Sequence, residues 1–271
     1  MRNLFFIITS LVFVISVGFY SCQLDEEGTL VGIFSVSDTR KVKFSSGNLQ
    51  YNFTNHTWKF AKCQYDVIGE TNSFTQNNFD GCIDLFAWGS ANNPAVGRYA
   101  KDIADKFTDW GHNVISTGSN CGNPNVWRTL TTGEWIYLFT KRANATSLVN
   151  FATVENVRGI VILPDDWICP SGVTFNPLNP VAFNVTDFRI NMNSVSDDNF
   201  KMNVYNKNQF EILESSGALF LPFCNNFEGG YWSSSDEGSF LSLTPACICP
   251  DQDCVKNAFL LNVRLVRNFE D

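Results

Sequence analysis

Apolar residues recur at two-residue spacing along much of the chain, and short polar turns interrupt them. Leu30–Val36, Val42–Phe44 and Leu49–Phe53 alternate or run apolar, with Ser37-Asp38-Thr39 as a turn after the first. Such runs, bounded by turn residues, predict strands. Trp58, Phe60, Cys63, Tyr65 and Val67 continue the near-period-two spacing. "GIVILPDDW" predicts a buried strand over Ile160–Leu163 that ends in a Pro-Asp turn, and "ALFLP" predicts another. In the last segment Phe259, Leu261, Val263 and Leu265 share one face, and Leu260, Asn262, Arg264 and Val266 share the other. One dry face and one mixed face suit a strand near the end of an antiparallel sheet.

Helical spacing is confined to short stretches. In "TLTTGEWIYLFTKRA", Thr131 and Glu134 form a capping box, each side chain answering a free backbone N–H at the helix start. Trp135, Ile136, Leu138 and Phe139 supply the apolar face, and Lys141-Arg142 suit the helix dipole at the C-terminal end. A second helix is predicted over Asn208–Ser215 with Gly217 as its stop, and a weaker one over Arg98–Phe107. Strands outnumbering two or three short helices predict an α+β fold.

The N-terminus reads as an address. Arg2 precedes an uncharged run from Leu4 to Tyr20, the arrangement of a secretory signal and short of the ~20 residues that span a bilayer comfortably. The run closes on Phe19-Tyr20-Ser21-Cys22, which resembles a bacterial lipoprotein signal. That resemblance implies a signal peptide over residues 1–21, a lipidated Cys22, and a chain anchored in a membrane without spanning it. The acidic residues Asp25, Glu26 and Glu27 then form a tether over residues 22–29, and they resemble the surface-export signal of Bacteroidetes lipoproteins. The expected location is the cell surface or the periplasmic face of the outer membrane. Residues 30–271 are expected to form one domain, because no low-complexity linker follows the tether.

Charge narrows the partners. The chain holds 27 acids against 19 Lys and Arg, and the lysines are scattered with no basic stripe. Nucleic acid is therefore not an expected partner. Beyond Cys22 lie Cys63, Cys82, Cys121, Cys169, Cys224, Cys247, Cys249 and Cys254. An even number of cysteines in an exported chain is compatible with disulfides, whose connectivity is beyond the reach of sequence, and Cys247, Cys249 and Cys254 stay open between paired, free and metal-bound states. "CICPDQDC" has spacing unlike a zinc site, and His56 and His112 lie far from it in sequence.

Catalytic signatures do not assemble. There is no serine nucleophile elbow, phosphate-cradling glycine loop or His-x-x-x-His pair in the sequence. Asp165 and Asp166 are neighbours on an extended turn, where side chains point opposite ways, so they read as turn residues. No cofactor is expected. The candidates for calcium, Asp165 with Asp166 and Asp251 with Asp253, each offer two acids where about six to eight oxygens are needed. Tyr231 and Trp232 alternate in "GGYWSSS", which predicts one in the core and one in solvent; Tyr231, or an exposed Trp such as Trp110, is the expected platform for a sugar ring.

Five landmarks occur in a recognisable order: "WRTLTTGEWIYLF" (Trp127–Phe139), "VILPDDW" (Val161–Trp167), "GALFLP" (Gly217–Pro222), "GGYWSSS" (Gly229–Ser235) and "VRLVR" (Val263–Arg267). With "GIFSVSDTRKVKFSSGNLQY" (Gly32–Tyr51) and "DLFAWG" (Asp84–Gly89), they resemble the Fibrobacter major-paralogue domain family of exported Bacteroidetes lipoproteins. At longer range the chain resembles the C-type-lectin-like fold of formylglycine-generating enzymes and retroelement variable proteins. The resemblance implies that Trp135 packs under a sheet, that Trp232, Arg264 and Arg267 belong to the terminal strands, and that Ser233–Asn257 forms an exposed loop surface. Ligand-binding candidates on that surface and beside it are Tyr231, Ser233, Ser234, Ser235, Asp236, Glu237, Asp251 and Asp253. The interval departs from the family in holding "SLTPACICPDQDC", with three cysteines and two prolines. The oxidases of that fold use a cysteine pair with copper; Cys247 and Cys249 are the one Cys-x-Cys pair here and do not align with it.

The leading expectation is a non-catalytic binding or adhesion lipoprotein that recognises a glycan or protein at the cell surface. The alternatives are a structural subunit of a cell-surface assembly and an oxidase-like enzyme related to the sulfatase-modifying factors. Asn52, Asn55, Asn144 and Asn184 each fit the N-glycosylation acceptor pattern, a match that arises readily by chance in an Asn- and Thr-rich chain.

Overall fold

In the computed structural model, the first alternating segment forms a hairpin of Phe34–Ser35 and Lys41–Phe44 around the Ser37–Thr39 turn. The structure describes residues 27–69, 81–94, 106–117, 122–178, 182–184, 188–192, 197–225, 227–235, 237–254 and 259–270. The signal segment, Cys22, Cys121, Asp236 and all but the end of the Arg98–Phe107 stretch lie outside the described residues.

Among the described residues the fold is mixed and strand-rich, with four antiparallel or mixed sheets and a few short helices, an arrangement consistent with the α+β class. In the first sheet, Leu265–Phe269 near the C-terminal end pairs antiparallel with both Lys41–Phe44 and Arg128–Thr129. The second is an antiparallel array of Ala182–Asn184, Arg189–Asn191, Cys247–Gln252, Phe240–Thr244 and Gly229–Trp232. The third joins the hairpin Val149–Val154 and Val157–Ile162 to Leu219–Pro222, with Val204–Tyr205 added in parallel. In the fourth, Leu49–Asn52 pairs with Thr57–Phe60 and Cys82–Ile83, and Ile115–Ser116 lies parallel to Thr57–Phe60.

Two of the predicted helices form, the first with its predicted start and the second starting at Lys207, one residue before the expected Asn208. Thr131 and Glu134 make the reciprocal capping box, and Thr132–Ile136 runs on into a wider π-type turn over Tyr137–Lys141. Asn206 and Gln209 cap Lys207–Ser215 in the same way, a signal the sequence reading passed over. Gly217 ends that helix at φ 95°, and Ala218 N–H reaches back to Leu213 O at 3.0 Å.

Burial follows the alternation. In the third sheet Phe151, Ile160, Ile162, Leu219 and Leu221 face the main core, while Ala152, Val161, Leu163 and Phe220 face a smaller one under Phe210 and Leu213 of the second helix. Trp135 lies in the main core against Phe44 and Phe139. A third cluster gathers Trp58, Trp88, Trp110, Trp127 and Trp232 with Leu261, Val263 and Leu265. The mixed face expected of the last segment is itself buried: Asn262 and Arg264 are enclosed, because Leu261–Asn262 bridges Phe86 on one side and Tyr231 on the other.

Arg264 donates to Asn48 Oδ1 (3.2 Å), Gln64 Oε1 (2.6 Å) and Phe220 O (3.4 Å). Burial pulls its pKa down to about 10, with the nearby Tyr231 and Glu214 opposing, so the guanidinium stays charged at neutral pH. Glu134 is also enclosed, and it accepts from both terminal nitrogens of Arg128 (2.7 and 2.8 Å), from Arg40 (2.9 Å) and from Thr131 N–H (2.9 Å).

Arg264→Ala is expected to destabilise the protein by about 2–5 kcal/mol, through the cavity and the bared Asn48 acceptor. Arg264→Met, which keeps most of the volume, should cost less; equal urea midpoints for the two variants and the parent would contradict this. For Glu134, burial alone would raise the pKa, but Arg128, Thr131 N–H and Arg40 outweigh it and hold the carboxyl low. A folded-state pKa below the unfolded one gives stability that is present above the unfolded value and lost as pH falls through the folded value. The stability gap between the parent and Glu134→Gln should therefore be widest at neutral pH and close below the usual carboxylate range, as read from chemical unfolding across pH.

Candidate functional site

The landmark "GGYWSSS" places its aromatics on opposite faces of the strand Gly229–Trp232, yet neither faces water. Tyr231 enters the main core, where its hydroxyl donates to Pro222 O (2.7 Å) and accepts from Asn48 Nδ2 (3.3 Å). Trp232 enters the tryptophan-rich cluster and donates from Nε1 to Phe86 O (2.7 Å). The strand pairs with Phe240–Thr244 along one edge and meets Asn262 along the other, and the two cores cover its faces. Tyr231 and Trp110 are both fully buried, which corrects their expected role as stacking platforms.

The serines that follow are also drawn inward. Ser233 is buried, Ser234 N–H donates to Leu130 O (2.8 Å), and Ser235 O accepts from Trp88 Nε1 (2.9 Å). Most of the expected loop between Ser233 and Asn257 is a hairpin, Phe240–Thr244 with Cys247–Gln252. Pro250 is accommodated where the register shifts between Phe240 and Ser242, at a bulge that needs no donor from it. A polar rim remains: Glu237, Asp251 and Asp253 are exposed, and Ser239 Oγ lies 3.5 Å from Asp253 Oδ1. The Asp251 pKa is raised, first by partial burial and then by the charges of Asp253 and Glu237, with Ser239 opposing. No group of three His, Cys, Asp or Glu side chains among the described residues is arranged to hold a metal ion.

Cys247, Cys249 and Cys254 stand as free thiols in the structure, one of the states the sequence leaves open for them. Cys247 and Cys249 flank Ile248, whose side chain enters the main core, so alternation turns both thiols to the other face. Arg189 reaches Cys249 Sγ at 3.7 Å, and Cys254 donates to Gly238 O (2.8 Å).

A pocket of about 370 Å³ opens elsewhere, around the turn Pro164–Ile168, with Val31, Lys41, Ser216 and Phe269 in its walls. Arg142, fully enclosed, donates to Leu163 O (2.9 Å) and to Asp165 Oδ1 (3.1 Å), while Asp165 Oδ2 accepts from Ser35 N–H (2.8 Å). Burial brings the Arg142 pKa down to about 10 against the opposing pull of Asp165. Asp165 is thus a structural tie, and Asp166 stays exposed. Trp167 is half-buried; its Nε1 donates to Ser216 Oγ (2.9 Å) and its ring packs edge-on to Phe175. Ile168 beside it is 84% exposed. Sequence reading missed this pocket, because its walls come from five separate segments; the exposed apolar residue after "PDDW" was its one local sign.

The chain matches no family model, no curated protein and no solved structure.

Alkylation should sort the thiols. Burial pushes the Cys254 pKa up to about 11, with Asp253 adding to the shift, and it also raises that of the buried Cys249. Iodoacetamide at pH 8 is expected to label the exposed Cys169 well before Cys249 and Cys254. Mass spectrometry of peptides from the native protein would show this order; disulfide-linked peptides containing Cys247, Cys249 or Cys254 would oppose it.

Proposed function

We propose that the chain is a lipid-anchored, non-catalytic binding protein of the cell surface that recognises a glycan. The Trp167 pocket carries this reading: a half-buried indole, locked by Ser216 and Phe175, stands beside Asp166 and Lys41 in a cavity of about 370 Å³. An immobilised aromatic face with a few polar groups at its edge suits a sugar ring, whose C–H face is apolar and whose rim is hydroxylated. Asp165 and Arg142 brace the turn from beneath, so little ordering is left to be done on binding.

The fold is proposed to be C-type-lectin-like and the family to be that of the Fibrobacter major-paralogue domain. Trp135 in the main core, Trp232 in the strand Gly229–Trp232 and Arg267 in the last strand support this, whereas Arg264 lies just before that strand. Anchorage through Cys22 rests on the sequence signal alone. The rim of Glu237, Asp251 and Asp253 is a second surface suited to a protein partner.

A glycan array probed with the full chain in detergent, with intact-protein mass spectrometry alongside, tests the proposal. The expected results are lipid on Cys22 and selective glycan binding that drops tenfold or more in Trp167→Ala, about 1.4 kcal/mol or more. Asp166→Asn should weaken binding less. Absence of glycan binding, together with one stoichiometric cross-linked neighbour in intact cells, would favour a structural subunit instead.

A further inference from the structure

A second depression, of about 380 Å³, lies on the fourth sheet and is lined by Ser46, Lys59, Phe60, Lys62, Ser116 and Thr117 with the backbone at Ala61. Its construction follows from strand pairing. Thr57–Phe60 lies parallel to Ile115–Ser116 with Lys59 opposite Ser116, while Trp58 and Phe60 turn into the core. Phe60 packs edge-on against Trp127 at 4.7 Å, which fixes the apolar wall.

The polar wall is equally constrained. Ser46 N–H donates to Gly28 O (2.7 Å), and Ala61 N–H donates to Asn48 O (2.8 Å). A Cβ on Gly47 would lie 2.4 Å from Ala61 O, and one on Gly28 would lie 2.6 Å from Thr117 Cγ2. These close approaches hold the Ser46, Ala61 and Thr117 segments against one another.

Charge adds a second feature to the site. Acids outnumber Lys and Arg by 27 to 19. Arg40, Arg128, Arg142, Lys201 and Lys207 each face a carboxylate. Among the described residues, Lys59 and Lys62 have no carboxylate partner. Two ammonium groups with no carboxylate partner among the described residues therefore border a cavity lined also by Ser46, Ser116, Thr117 and Phe60.

We propose that this pocket binds an acidic sugar unit, a uronate or a sulfated residue of a polysaccharide. Lys59 and Lys62 take the oxyanion, the hydroxyls of Ser46, Ser116 and Thr117 meet the ring hydroxyls, and only the edge of the core residue Phe60 closes the inner wall. Ammonium groups on long stems accept either a carboxylate or a sulfate, because they impose no planar geometry. The cavity is far larger than a bare inorganic anion needs, and its apolar wall gives such an ion nothing. The site shares no residue with the Trp167 pocket, so failure of glycan binding at Trp167 leaves it standing.

Calorimetric titration of the detergent-solubilised full chain at low salt tests the proposal with five probes: trigalacturonate, a sulfated galactotriose, neutral galactotriose, a triglutamate peptide and inorganic sulfate. One or both acidic saccharides should bind at least tenfold more tightly than each of the other three. Lys59→Gln and Lys62→Gln should each weaken that binding about threefold to fivefold, and the affinity should fall as salt is raised. Trp167→Ala should leave it unchanged. The proposal is overturned if neutral galactotriose, triglutamate or sulfate binds as tightly as the acidic saccharides, if none of the probes binds, or if the double variant Lys59→Gln/Lys62→Gln binds them as the parent does.

Discussion

The Arg264 guanidinium sits where the main core, the tryptophan-rich core and the segment after Thr57–Phe60 meet. Burying a cation costs several kcal/mol unless hydrogen bonds replace its water. Here Asn48, Gln64 and Phe220 O replace it, and each is held in turn. Gln64 donates to Glu214 Oε1 (2.9 Å) and Ala218 O (3.0 Å) and accepts from Phe220 N–H (2.7 Å); Asn48 donates to Tyr231. One side chain therefore sets the relative placement of the last segment, the second helix, the strand Leu219–Pro222 and the loop before Leu49. A one-residue slip of the last segment would put Val263 or Leu265 into this polar nest and turn the charge toward apolar rings.

Around that centre the polar groups act as pins between segments distant in sequence. Asp84 accepts from the N–H groups of Ile68 and Gly69, at 2.8 and 2.9 Å, although burial raises its pKa. Asp109 accepts from Gly111 N–H and from Thr129, and Asn203 donates to Phe151 O and Asn176 O. Such pins let short strands and irregular segments stand as rigid walls without long helices behind them. The two pockets inherit that rigidity: the Trp167 wall through Arg142 and Asp165, the Lys59 wall through Gly28 and Gly47.

Local features were legible in the sequence. The hairpin at Phe34–Phe44, the strands around Ile160 and Leu219, the Thr131–Glu134 box and the stop at Gly217 depend on neighbours within a few residues, and each forms as read. Glu237, Asp251 and Asp253 are exposed, as charged residues at the ends of elements tend to be. Tyr231 and Ser233 were misplaced because alternation assigns a face to a side chain and says nothing of what covers that face. The resemblance implied a loop where the hairpin with Cys247–Gln252 stands, and the bulge that tolerates Pro250 in that strand exists only with a partner strand beside it.

Sequence by itself determined the class of the protein: an α+β chain of short strands, two capped helices, an acidic balance and an N-terminal segment with the form of an address. Those properties live in local propensity, period and composition, which no partner segment alters. Tertiary structure alone decided which aromatics lie inside, which carboxylate braces a turn, and which residues share a cavity. Arg264, Gln64 and Glu214 are far apart along the chain, as are Lys59 and Ser116, and Trp167 and Ser216. Their meeting depends on sheet register and on burying one cation against acceptors drawn from several segments, and neither constraint can be evaluated until the segments are packed together.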